Sequence, residues 1–192
     1  MRFNSFHSLG LLLAFLWVAN AAQAQQRGSG YEISGISPSV VRTPDYDFSG
    51  DKKPGVRPRN WLEVEVEFRA EPEMTEELTV KYYILVNKTL FVGETTHVNI
   101  AKGRERRSVM YIAPNTLERL MEGKPFNASA IENVGVELLK QGQLVAVKSL
   151  KDSRVPWWQQ FPQTTGYVLN KNDTPFAPLY WDRYEAIKPN SR

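Results

Sequence analysis

The stretch from Trp61 to Arg69 constrains this chain more than any other. It reads WLEVEVEFR, with Leu62, Val64, Val66 and Phe68 alternating against Glu63, Glu65, Glu67 and Arg69. Successive side chains of a strand point to opposite faces, so this period of two collects the apolar groups on one side and the charges on the other. A helix would scatter both sets around its axis. The segment is therefore a half-buried antiparallel strand, and its apolar face requires a second layer to cover it.

The rest of the chain supplies that layer. Leu78 to Asn87 is a second strand, with Leu78, Val80, Tyr82, Ile84 and Val86 on one face. Its other face carries Thr79, Lys81, Tyr83 and Leu85, which is too apolar to stand in water, so a further element should lie over it. Thr89 to Ile100 reads as a strand pair or one strand broken at Gly93, and Arg104 to Ile112 as another strand. Ala130 to Leu139 and Leu144 to Leu150 form a hairpin through Gln141-Gly142, with glycine placed for positive φ. An earlier candidate, Tyr31 to Val41, contains Gly35 and Pro38, which assign it to a sheet edge. One helix fits the pattern. Pro114 suits a first turn, Asn115 and Glu118 have capping-box spacing, Leu117, Leu120 and Met121 make an apolar stripe, and Gly123 and Pro125 end it.

Short strands at this spacing, one helix before the penultimate strand and a closing hairpin predict an all-β fold. The expected form is an immunoglobulin-like antiparallel β-sandwich, and a jelly roll fits the same pattern. The organisation read from the sequence is residues 1–24 a signal peptide, 25–60 an N-terminal edge strand and loop, 61–155 the sandwich core, and 156–192 an extended aromatic C-terminal strap.

The signal peptide is read from Arg2, the apolar run Leu9 to Val18 and the small residues Ala22 and Ala24, which place a cut before Gln25. That run is about ten residues, half of the ~20 a membrane-spanning helix needs. The expected product is exported, periplasmic or extracellular. Cysteine is absent, which excludes disulfides, thiol nucleophiles and thiolate metal sites.

Provision for catalysis is thin. Beyond the signal the single histidine is His97, in THVNI, and no nucleophile-elbow, zinc-protease or phosphate-loop motif accompanies it. A hydrolase would need His97 beside a nucleophile, or two carboxylates converging in a cleft. The acidic segment Asp45 to Asp51 matches the start of a calcium loop but has Val56 where the closing glutamate belongs, so it reads as a solvated turn. The expectation is no enzyme, no metal and no cofactor. The net charge of +3 is spread among nearly equal numbers of acids and bases, without the basic stripe that binds nucleic acid. Two local imbalances exist: seven acids and one arginine from Glu63 to Glu77, and four bases and one acid from Lys102 to Arg107. They read as solvated faces or, alternatively, as halves of a head-to-tail self-association.

The strap holds Trp157, Trp158, Phe161, Tyr167, Phe176, Tyr180, Trp181 and Tyr184 among prolines and polar breaks. Its rings either cover the Tyr83/Leu85 face or form an interaction surface, for which Trp157, Trp158, Tyr180, Trp181 and Tyr184 are the candidates. A glycan stacked on these rings is the alternative to a protein partner.

The phrases WLEVEVEF, LTVKYYILV, APNTLERLMEG and, most specifically, NKNDTPFAPLYWDRYE resemble secreted immunoglobulin-like proteins encoded beside type IV pilus genes in certain gut bacteria. The resemblance runs from Tyr31 to Glu185. It implies a non-enzymatic structural or interaction role in the bacterial cell envelope, near pilus or secretion machinery, and carries no assigned functional residues.

Overall fold

The computed structural model describes residues 29–46, 58–151 and 156–189. The proposed cleavage site at Ala22, Ala24 and Gln25 lies outside them, as does the acidic turn from Asp47 onward.

Seven strands form one hydrogen-bonded sheet: β1 (Tyr31–Arg42), β2 (Asn60–Val86), β3 (Thr89–Ile112), β4 (Ile131–Lys140), β5 (Gln143–Ser149), β6 (Gln163–Thr165) and β7 (Val168–Asn170). Among the described residues one short α-helix, α1 (Pro114–Leu120), sits between β3 and β4. The order is β5-β4-β2-β3-β6, with β1 added to β2 and β7 to β3. The all-β, sandwich-like fold expected from the strand spacing is what forms, with two differences in construction.

First, the segments read as separate strands are continuous. Trp61–Arg69 and Leu78–Val86 belong to the two halves of β2, with Asn87 in the turn that follows, and Gly93 does not interrupt β3. The halves are distinguished by a bend. Between Ala70 and Met74 the register with β3 shifts, β2 advancing four residues while its partners step only from Gly103 to Ala101. Extra residues of this kind increase the local twist and turn the strand. The sheet thereby folds over on itself. Leu62, Val64, Val66 and Phe68 of the first half share one core with Leu78, Val80, Tyr82, Ile84 and Val86 of the second. At about 1.5–3 kcal/mol for each large apolar side chain buried, this face is the main source of stability.

Second, the sheet is mixed, since β6 runs parallel to β3. Sequence periodicity could not show this, because a three-residue strand has no period to read.

The hairpin turns follow their residues. Asn87 and Lys88 both take positive φ (44° and 62°) between paired Val86 and Thr89, as do Gln141 and Gly142 (51° and 77°) between Lys140 and Gln143. The capping box expected at α1 does not form. Ala113 is the N-cap, no side chain caps the helix, and Glu118 instead holds Arg59 at 2.6 Å. Pro114 at the first helical position places the N-cap at Ala113, two residues before Asn115.

Candidate interaction surface

The C-terminal strap begins by filling the uncovered face of β2. Trp158 stacks on Tyr83 and Trp157 meets it edge-on, with Leu85, Leu90 and Val92 completing a second apolar cluster. Trp157 donates its indole N–H to Ser149 Oγ at 3.0 Å. Gly135 opens the floor: a methyl group there would run into the six-membered ring of Trp158. Both tryptophans are buried. They leave the list of candidate surface residues, because the apolar outer face of Tyr83 and Leu85 takes them in.

The strap then follows the free edge of β3. β6 pairs with Leu90–Val92, β7 with Met110–Ile112, and Ile187 bridges His97, flanked by Val98 N–H to Ala186 O (2.9 Å) and Lys188 N–H to Thr96 O (2.7 Å). Between these contacts it crosses the outer face of the first half-sheet, where Phe176 stacks on Tyr111 and packs edge-on against Trp61.

On that face the acids are partnered. Arg183 makes a two-pronged contact with Glu65 (3.0 and 2.8 Å), and Tyr184 donates to the same carboxylate at 2.9 Å. Burial pushes the Glu65 carboxyl up, but the hydrogen bonds from Arg183 and Tyr184, with the charges of Arg183 and Arg107, outweigh it and hold the group below its ordinary range. Glu67 pairs with Arg107 (3.0 Å), Glu73 with Lys102 (2.8 Å) and Glu77 with Lys188 (2.6 Å). The acidic and basic blocks seen in the sequence are thus set against each other across one hairpin, and the strap uses what is left. Tyr184, half-buried on Glu65, is an anchor of the strap.

His97 does lie beside a potential nucleophile. Its Nε2 is 2.7 Å from Ser108 Oγ, and its Nδ1 is 3.0 Å from the carbonyl of Glu185. The carbonyl can only accept, so Nδ1 carries the proton and Nε2 accepts from Ser108, which in turn accepts from Tyr82 at 2.7 Å. Every position in this relay is filled. Ser108 is fully buried and His97 nearly so, and burial lowers the histidine to a pKa of about 4 despite backbone contacts at Glu185 and Ala186 that favour its charge. The pair ties the strap to β3 and offers a substrate no access to Oγ. Ser108 escaped the sequence reading although it shares the inward parity of Met110 and Ile112.

Tyr180 and Trp181 are different. They are 66 % and 80 % exposed, at the tip of a turn closed by Arg183 N–H to Tyr180 O (3.1 Å). Tyr180 has φ of 51°, an uncommon conformation for a bulky residue. Strain of this kind, about 1–3 kcal/mol, persists only where the surroundings enforce it. Here Phe176 and Leu179 are packed before the turn, and Arg183 and Tyr184 are clamped after it. The two rings are held outward.

A concavity that no sequence motif signalled lies beside α1, with a volume of about 440 Å³. Its walls include Pro58, Pro114, Leu117, Pro125 and Phe126, with Arg42 and Lys124 among its lining groups. Among the described residues no group of three or more histidine, aspartate or glutamate side chains is placed to hold a metal ion, and no helix is long and apolar enough to cross a membrane.

These features define a class: an all-β, sandwich-like domain wrapped by its own C-terminal strap, which displays an aromatic turn. The chain belongs to a protein family whose profile matches residues 21–191, nearly its whole length. It is also similar in fold to a crystal structure of a protein from Akkermansia muciniphila, at 22% identity and a TM-score of 0.73 over 84% of this chain and 94% of that one. No curated protein sequence matches.

Proposed function

We propose that this is an exported, non-enzymatic structural or interaction component of the bacterial cell envelope, associated with type IV pili or secretion machinery, and that it meets its partner through Tyr180 and Trp181. One observation carries the interaction role: two large aromatic rings are held in solvent by a strained turn anchored on both sides. Folding alone gives no reason to expose them, and aromatic anchors dominate the energetics of protein contacts. The sealing of Ser108 and His97 supports the non-enzymatic part. The resemblance of the strap sequence to secreted pilus-linked proteins supports the location.

The test is capture from envelope fractions with tagged protein, wild type against Trp181→Ala, beside a glycan array. Specific protein capture that Trp181→Ala removes is the expected result. Binding to particular glycans without a protein partner would replace the proposal with a carbohydrate-binding or adhesive role. Mass spectrometry of the protein recovered from its host should find Gln25 as the N-terminus; retention of Met1 in the cytoplasm would overturn the envelope location.

A further inference from the structure

We infer that the partner met by this turn is a second copy of the chain, with Tyr180 and Trp181 of one molecule seated in the concavity beside α1 of another. The inference rests on the interaction role proposed above and names its partner.

Shape comes first. The turn is convex, and Trp181 is accessible from nearly all sides, so its complement must be a hollow rather than a second flat surface. The chain carries such a hollow. Its volume of about 440 Å³ falls within the range of roughly 300–1,000 Å³ typical of sites that enclose compact organic groups. Its lining is mixed: proline rings at Pro58 and Pro125 stand beside the polar groups of Arg42, Arg59, Asn60 and Lys124, so it can meet both an indole ring and a neighbouring charge.

Chemistry agrees with shape. Arg42 and Lys124 line the hollow, and neither has a side-chain partner among the described residues. Cations over an indole face are attracted by the ring quadrupole, tryptophan being the best acceptor. The residue after Trp181 is Asp182, exposed and without a partner among the described residues, so its carboxylate would approach the same cations. Arg59, also at the hollow, is already held by Glu118 and helps shape the wall. A membrane surface is the poorer fit to this turn. Interfacial aromatic anchors work with basic neighbours, whereas here the neighbour of Trp181 is the acid Asp182 and Arg183 is committed to Glu65.

In one molecule the turn does not occupy the hollow, since Trp181 is 80 % exposed. The contact is therefore between molecules: knob to socket, the two patches unlike each other. Such a contact closes as a ring or reciprocal pair, or continues as an open chain, according to the rotation between copies.

Sedimentation of the purified protein over a wide concentration range tests this. The wild type should assemble with concentration, and Trp181→Ala should weaken assembly at least tenfold with an unchanged melting temperature. A socket variant, Arg42→Glu with Lys124→Glu, should do the same. Mixing the knob variant with the socket variant should restore a hetero-complex, because one supplies an intact socket and the other an intact knob. Adding Asp182→Lys to the socket variant should recover self-assembly. A wild type that stays monomeric, or assembly indifferent to Trp181→Ala, overturns the inference. A monomer that still captures a different envelope protein through Trp181 also overturns it, while leaving the interaction role standing.

Discussion

Trp158 lies flat on Tyr83, with ring centroids 4.5 Å apart and planes within 13° of parallel. The stack joins the start of the strap to the C-terminal part of β2, and Gly135 on the neighbouring strand leaves room for it. Trp158→Ala is expected to cost about 3–5 kcal/mol, the usual range for removing a buried large aromatic. Gly135→Ala should cost about 1–3 kcal/mol by overpacking the same spot. The two should be strongly non-additive in denaturant melts, because the alanine methyl has little to strike once the indole is gone. Additive losses would show that Gly135 acts through its backbone instead.

His97 makes stability depend on pH. Its pKa is about 4 when folded and about 6.5 when unfolded, so between those values the unfolded chain binds the extra proton. Stability is full above pH 6.5 and falls as the pH drops towards 4, by about 3 kcal/mol in all. His97→Gln should flatten that slope and lower stability at pH 7. Equal slopes in the two proteins would remove His97 as the cause.

The Glu65 clamp contributes in the same direction over a more acidic window. A carboxyl held below its ordinary range stabilises above its unfolded pKa, and that contribution disappears as pH falls through the folded value. Glu65→Gln keeps the shape but weakens charge-assisted hydrogen bonds from Arg183 and Tyr184, for an expected loss of about 1–3 kcal/mol. Hydrogen exchange should accelerate over residues 180–188 more than in β4 or β5. A uniform change across the fold would place the effect elsewhere.

Gly93 is the close-approach point between β3 and β7. A methyl group there would sit 2.5 Å from Val168 Cβ. Gly93→Ala should loosen β7 and raise exchange at 168–170, and Val168→Ala in the same chain should relieve part of the damage. Absence of relief would mean that another neighbour sets the distance.

Trp181→Ala should leave stability within about 0.5 kcal/mol of wild type, as for an exposed residue outside any packed feature. It should also remove a solvent-quenchable component of the tryptophan fluorescence, while Trp157→Phe removes a shielded one. A large loss of stability from Trp181→Ala would mean that the ring packs rather than projects.

Much of the fold could be read from the strand residues themselves. The alternation in WLEVEVEF and LTVKYYILV reports which face is buried, and the apolar outer positions Tyr83 and Leu85 announced that something covers them. Three things could not be read so. The continuity of β2 through Glu71-Pro72-Glu73 depends on how a bend pairs across the sheet, and local composition there favours a break. The charges of Glu63, Glu65 and Glu67 look like a wet face, yet they receive Tyr111, Arg183, Tyr184 and Arg107, partners drawn from distant positions. The candidate surface was too broad for a related reason: Trp157 and Trp181 are alike as residues, and only the path of the strap decides which is inside.

That path has a consequence for how the protein tolerates crowding. A strand with open N–H and C=O groups along one side is a template on which foreign chains can add. The strap occupies that side of β3 at both ends and at its middle, while across the sheet Lys148 covers the carbonyls of Ile33 and Ser34, and Ser29 that of Val145. Growth by strand addition is thereby blocked at these positions. At these positions only side-chain contacts are left to a neighbouring molecule, and such contacts respond to salt and to single substitutions.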